Sequence, residues 1–317
     1  MSTAATTALA SLLVCTPAVA FQQTPSQAKP TFHSAVDLVR IAAVVRDRHG
    51  RFARGLRKED FVVEEEGRRR DIVDFRSDDN APVRVAVLFD VSGSMRLAGR
   101  LDDARQTARQ LLSALRLGAA DDEAAVFSFD MNLQSLQPFT SDAHAIDNAL
   151  SRVKPYGQTS LYDAIALTAR EVADARPGDP RRRAVVVITD GIDTSSELKP
   201  EQVAAFASEI DVPVYVLTVA SSVDRDAMER AESIAGVAES SLRALARWTG
   251  GELFVTSAPA HESIAVRQIV DELRHQYVLA FAASPSSGWR ALSVKTKQKD
   301  LTVRARSGYS AGGRSGH

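Results

Sequence analysis

V-R-V-A-V-L-F-D-V-S-G-S-M, residues 83–95, is the stretch that decides the fold. From Val83 to Phe89 the run is almost uninterrupted in its apolar character, and its Val and Phe content reads as a strand buried on both faces. A strand of that kind belongs in the middle of a parallel sheet, where ligands gather at the carboxyl ends of the strands. At that end stand Asp90, Ser92 and Ser94, with Gly93 letting the backbone turn tightly between them. One carboxylate and two hydroxyls, with no imidazole or thiolate, favour Mg²⁺, Mn²⁺ or Ca²⁺ over zinc or copper.

Two other stretches repeat the arrangement. A-V-V-V-I-T-D, residues 184–190, is a second buried strand that ends in Thr189 and Asp190 and is followed by Gly191. G-Q-T-S, residues 157–160, lies in a loop before a helical pattern and sets Thr159 where a hydroxyl can meet the same ion. D-x-S-x-S, a loop Thr and a strand-terminal T-D-G, in that order, resemble the metal-ion-dependent adhesion site of the von Willebrand factor type A domain. The resemblance implies a six-stranded, mostly parallel, doubly wound α/β sheet of Rossmann-like form. It also implies one divalent cation, Mg²⁺ first and Mn²⁺ or Ca²⁺ after it. Ser92, Ser94 and Thr159 coordinate directly by that likeness, and Asp90 and Asp190 directly or through water. Such an ion keeps an exchangeable position, which an Asp or Glu of a partner protein fills.

At 317 residues the chain has room for one large domain plus additions, and 44% hydrophobic with 25% charged residues is an ordinary globular composition. A net charge of −1 gives no electrostatic case for nucleic acid or an anionic membrane, and 6% aromatics argue against a stacking surface. Residues 1–20 carry an uncharged run from Ala4 to Ala20 and end in T-P-A-V-A, which reads as a signal peptide cleaved before Phe21. Export to the periplasm or beyond follows as an expectation. The single cysteine, Cys15, falls inside that segment, and no second apolar stretch is long enough to span a membrane.

Residues 21–34 read as a linker and residues 35–77 as an antiparallel β segment, with E-E-E-G-R-R-R as a hairpin turn on Gly67. The type A domain is expected over residues 81–276, with strands alternating with helical periodicity. Within it Leu101–Leu115, Asp142–Val153, Ser160–Ala175 and about Glu262–His275 read as helices, with Ser160 as a cap. Arg181–Arg183 read as solvent-facing charges at a strand entry. Asp193 and Thr194 read as loop or cap residues, and Asp163 as a local cap partner. Residues 277–309 return to period-two alternation, and with residues 35–77 they can form one β module built from both chain ends. Residues 310–317 read as a disordered tail. The flanks, G-L-x-x-E-D-F-x-V before the core and R-S-G-Y after it, resemble those of bacterial exported VWFA-related proteins.

Competing chemistry is weaker. A phosphatase of the haloacid-dehalogenase type would carry a general acid two residues after the strand-end Asp, and Ser92 stands there instead. S-G-S-M is not a nucleophile elbow, and the six histidines show no zinc spacing. The sequence therefore points to a non-enzymatic, metal-dependent binding module. A scaffold with a structural ion, or a Mg²⁺-dependent hydrolase, are the other readings.

Overall fold

The computed structural model describes residues 38–78, 80–118, 122–173, 179–209, 211–219, 240–256, 259–284 and 287–311. The expected signal peptide and linker lie outside these residues. The described chain begins with four strands, β1 (Leu38–Arg46), β2 (Phe61–Glu65), β3 (Arg68–Arg70) and β4 (Ile72–Ser77). The central region follows: β5 (Val83–Asp90), α1 (Arg100–Ala114), β6 (Glu123–Phe129), β7 (Leu133–Thr140), α2 (Ala143–Ser151), α3 (Leu161–Ala173), β8 (Arg182–Thr189), α4 (Pro200–Glu209) and β9 (Val214–Val219). Helix α5 runs through residues 240–248, and β10 (Leu253–Thr256) and α6 (Pro259–Arg274) complete this part. Four strands end the chain, β11 (Tyr277–Ala282), β12 (Gly288–Thr296), β13 (Thr302–Ala305) and β14 (Gly308–Ala311).

The central sheet has the order β10-β9-β8-β5-β6-β7, parallel throughout except for the antiparallel edge strand β7. Strand β5 is central, and its side chains divide by parity, as a period of two requires. Val83, Val85, Val87 and Phe89 pack against α1, α2 and α6, whereas Ala86 and Leu88 pack against α3, α4 and α5. All six are fully buried. The sheet is thus covered on both faces, which is why its strands read as continuous apolar runs. Asp142 caps α2, accepting from the amides of His144 at 2.9 Å and Ala145 at 3.2 Å.

The two ends of the chain interleave in two further four-stranded sheets, ordered β13-β1-β11-β4 and β14-β12-β2-β3. Their inward side chains share one apolar cluster, with Ile41, Leu279 and Phe281 from the first sheet and Phe61, Val63 and Tyr309 from the second. Between β2 and β3, Glu66 and Gly67 both adopt positive φ, the requirement of a tight two-residue hairpin turn, and Glu65 and Glu64 face Arg68 and Arg69 as the charge pattern suggested. Glu65 is nevertheless buried. It accepts hydrogen bonds from Tyr309 Oη at 2.5 Å and Ser284 Oγ at 2.6 Å, and it pairs with Arg70.

The R-S-G-Y motif joins this β module to the central sheet. Arg306 donates to the Arg40 carbonyl and lies 3.6 Å from Asp211, while the Ser307 amide donates to the Trp248 carbonyl of α5 at 3.0 Å. A Cβ at Gly308 would sit 2.3 Å from the Trp289 ring and 2.5 Å from the Arg290 carbonyl, so no other residue fits. On the same side, buried Glu272 of α6 pairs with Arg46 of β1 and Arg304 of β13. Two expectations need correction. Arg182 lies inside β8 and is buried, because its guanidinium reaches the Gln276 carbonyl rather than solvent. Ser310 and Ala311, expected in a disordered tail, are strand residues that pair with Trp289 and Gly288 of β12 through backbone bonds that need no apolar side chain; residues 312–317 lie outside the described residues.

Candidate metal centre

Strand β5 delivers Asp90 to the carboxyl edge of the sheet with none of its surface exposed. Thr189, the last residue of the neighbouring β8, donates its hydroxyl to Asp90 Oδ2 at 2.5 Å, and its own oxygen accepts from the Gly191 amide at 2.9 Å. The chain then turns, so that the Ser92 amide donates to Asp90 Oδ1 at 2.8 Å and Ser92 Oγ meets Ser94 Oγ at 3.0 Å. A 3₁₀ turn over Gly93–Gly99 leads into α1. Burial, and then the neighbouring Asp190 carboxylate, push the Asp90 carboxyl up to about 6 from 3.8, against the hydrogen bonds that favour its ionised form.

Asp190 is almost wholly enclosed. Its Oδ2 accepts from Arg100 Nη1 at 3.0 Å, and the same nitrogen lies 3.4 Å from the Ser94 carbonyl. Its Oδ1 is buried without a hydrogen-bond partner. Leaving one oxygen of a buried carboxylate unsatisfied is costly, on the order of 1–3 kcal/mol or more for a charged group.

Thr159 arrives on the loop before α3. The Gly93 amide donates to the Gly157 carbonyl at 2.9 Å, and a Cβ at Gly93 would come within 3.2 Å of that oxygen. The Tyr156 amide donates to the Val91 carbonyl at 2.6 Å. These two bonds fix the Thr159 loop against the Asp90 loop. The loop after β8 fixes it from the other side: the Thr159 amide donates to Thr194 Oγ1 at 3.0 Å, and the Thr159 carbonyl accepts from the amides of Thr194 and Ser195 at 2.9 and 3.0 Å.

The amino terminus of α3 is capped from that same loop. The Leu161 amide donates to Asp193 Oδ1 at 2.8 Å and the Tyr162 amide to Ser196 Oγ at 3.0 Å. Asp193 and Thr194 are therefore cap and loop residues, as read from the sequence, although the helix they cap precedes them in the chain. Ser160, expected to cap, pairs its hydroxyl with Ser195 Oγ at 2.9 Å instead. Asp163 is not a local cap partner either; its carboxylate accepts from the amides of Glu197 and Leu198, both at 2.9 Å.

Direct bonds thus link Asp90 with the Ser92 amide, Ser92 with Ser94, and, through Arg100, Ser94 with Asp190; Thr159 joins them through the backbone of its loop. Among the described residues no three His, Cys, Asp or Glu side chains gather. A cation here would rest on two carboxylates and the hydroxyls of Ser92, Ser94 and Thr159, all hard oxygens. Arg100 is the residue beside this site that sequence reading missed. An arginine opening an amphipathic helix looks solvated, and only the fold sets it beside an aspartate ninety positions away.

Residues 85–192 match the family model of the von Willebrand factor type A domain. No curated protein sequence matches the chain. Among solved structures, a von Willebrand factor type A protein from Catenulispora acidiphila has a TM-score of 0.49 at 13% identity, covering 89% of this chain and 76% of that one. An aerotolerance-related membrane protein from Bacteroides fragilis has a TM-score of 0.48 at 23% identity, covering 60% and 99%. The von Willebrand domain of the type V pili tip protein Mfa5 from Porphyromonas gingivalis has a TM-score of 0.48 at 14% identity, covering 60% and 94%. The matched segment runs from the central strand to the loop that bears Asp190, so the likeness to a von Willebrand factor type A domain falls on the α/β core of this chain.

Proposed function

We propose that this chain is an exported protein-binding module whose cation, Mg²⁺ before Mn²⁺ or Ca²⁺, is held by Asp90, Ser92, Ser94, Thr159 and Asp190. An Asp or Glu of a partner protein supplies its last ligand. The observation that carries this reading is the electrostatic imbalance of the site. Asp190 Oδ1 is buried and unpaired, and beside it Asp90 is disfavoured in its ionised form. A hard divalent cation relieves both, whereas Arg100 neutralises only the Oδ2 side of Asp190. Three neutral hydroxyls leave such an ion with enough residual charge to attract a further carboxylate.

The rim around the site supports a protein partner. Leu97, Tyr156 and Ile192 are exposed, Tyr156 by 72%, each on one of the loops described above, and Met131 is exposed in the turn between β6 and β7. Exposed apolar side chains that cluster around a polar centre are the usual composition of a binding face. No helix among the described residues is long and apolar enough to cross a membrane. The test is titration calorimetry with MgCl₂ and MnCl₂ on the wild type and Asp190→Ala, joined to a pull-down from envelope extract with Mg²⁺ or chelator. Saturable binding that Asp190→Ala abolishes, with Mg²⁺-dependent capture, is the expected result. Capture unchanged by chelator would leave a metal-independent scaffold as the better account.

A further inference from the structure

At the opposite, amino-terminal edge of the central sheet a second charged site lies between the β module and β8. A cavity of about 70 Å³ is lined by Arg40 of β1, Arg76 of β4 and Arg182 and Arg183 of β8, with Asp179 and Asp211 on its wall. A single water needs roughly 10–15 Å³ of such space, so an ion of about five heavy atoms can enter. Both aspartates are already engaged, Asp179 by Arg181 at 3.2 Å and Asp211 by Arg306 at 3.6 Å. The remaining arginines are not balanced. Arg40 pairs with no carboxylate among the described residues, and Arg76 has only the exposed Asp74 at 3.5 Å.

Arg182 carries the argument furthest. It is 8% exposed, its Nη2 donates to the Gln276 carbonyl at 3.4 Å and stands 3.7 Å from the exposed Asp78, and its Nε has no partner. Burial holds its guanidinium below the ordinary value; Asp78 and, less, Asp211 oppose that, and Arg76 adds to it as a like charge. Arginines from three different strands therefore line one cavity, and the acids on its wall already face the arginines Arg181 and Arg306. The ion pair of Arg182 with Asp78 is long and that carboxylate is exposed, so the buried guanidinium is only partly compensated.

We propose that this cavity binds a small tetrahedral oxyanion, phosphate or sulfate in form, held by Arg40, Arg76 and Arg182. A planar carboxylate presents two oxygens in one plane and satisfies one guanidinium fork well. A tetrahedral dianion presents oxygens in several directions and meets donors arriving from different strands. The ion would seat the β module on the central sheet, across an interface whose other half is the Arg46–Glu272–Arg304 cluster.

The test is calorimetry and thermal melting of the whole chain in chelator, with inorganic phosphate, sulfate and acetate added at constant ionic strength. Phosphate and sulfate are expected to bind at least tenfold more tightly than acetate and to raise the melting temperature. The double variant Arg40→Ala/Arg76→Ala, both surface positions, is expected to lose at least tenfold in phosphate affinity while its Mg²⁺ titration stays that of the wild type. Arg182→Lys, which keeps the charge and loses the fork, is expected to weaken phosphate as well. Equal melting in phosphate and chloride, or undiminished phosphate binding by the double variant, would overturn the proposal. Should Arg182→Lys fail to fold, the double variant decides alone.

Discussion

Replacing Asp90 by Asn should stabilise the metal-free protein at pH 8, although it destroys the site. The Asp90 carboxyl is raised from 3.8 to about 6. At about 1.4 kcal/mol per pKa unit, its ionisation in the folded state costs about 3 kcal/mol relative to the unfolded chain. The sign follows from the direction. A raised folded value means that the group's contribution is fully present below about pH 4 and is lost as pH rises through 6. Asn carries no such charge. It has one oxygen for two donors, the Ser92 amide and the Thr189 hydroxyl, so a mismatch costs about 1 kcal/mol. The net gain at pH 8 in chelator is about 1–2 kcal/mol, a rise of a few degrees in melting temperature for a chain of this size. Mg²⁺ reverses the order: at a hundredfold excess over its dissociation constant, wild type gains about 2.7 kcal/mol and the variant nothing. Melting wild type and Asp90→Asn side by side from pH 4 to pH 8 isolates the group, because every other carboxylate is common to both. A variant that melts below wild type at pH 8 in chelator, or a difference that does not vary with pH, would refute the reasoning.

Thr189→Val keeps the shape of a fully buried side chain but strands Asp90 Oδ2 and the Gly191 amide, so unfolding in urea should show a loss of about 1–3 kcal/mol and calorimetry a weaker Mg²⁺ affinity. Asp193→Ala removes the acceptor for the first amide of α3, at a cost of about 1 kcal/mol by denaturant unfolding. Its Mg²⁺ affinity should fall too, although Asp193 touches no ion, because the loop it braces holds Thr159. Tyr156→Ala should leave melting and Mg²⁺ titration within error of wild type and yet reduce Mg²⁺-dependent capture of the partner several-fold, since the ring is exposed and bonded only through its backbone.

The central strand and its polar end were legible because the signal is local. An apolar run that stops at Asp90 carries its own burial and its own terminus in thirteen consecutive residues. That Asp190 and Thr159 serve one site is an expectation from order along the chain together with the family likeness, since spacing alone says nothing about which loops meet. What escaped was set by distant partners. Arg100 and Arg182 look like surface arginines until Asp190 and the Gln276 carbonyl are placed beside them. The cap on α3 was invisible because its acceptors come from residues 193–196, after the helix instead of before it. Glu65 sits in a charged run that has the composition of a solvated turn, and its burial depends on Tyr309 at the far end of the chain.

Strand β1 lies between β11 and β13, which begin at Tyr277 and Thr302. Its end at Val45 and Arg46 bonds locally to Phe52 and Ala53, but during synthesis the rest of its ladder waits until nearly the whole chain has been made, so the sheet that holds it is among the last parts to close. A chain wired in this way keeps its first described strand largely open through translation. That order of events sets a cost in strand edges left exposed until the last residues arrive.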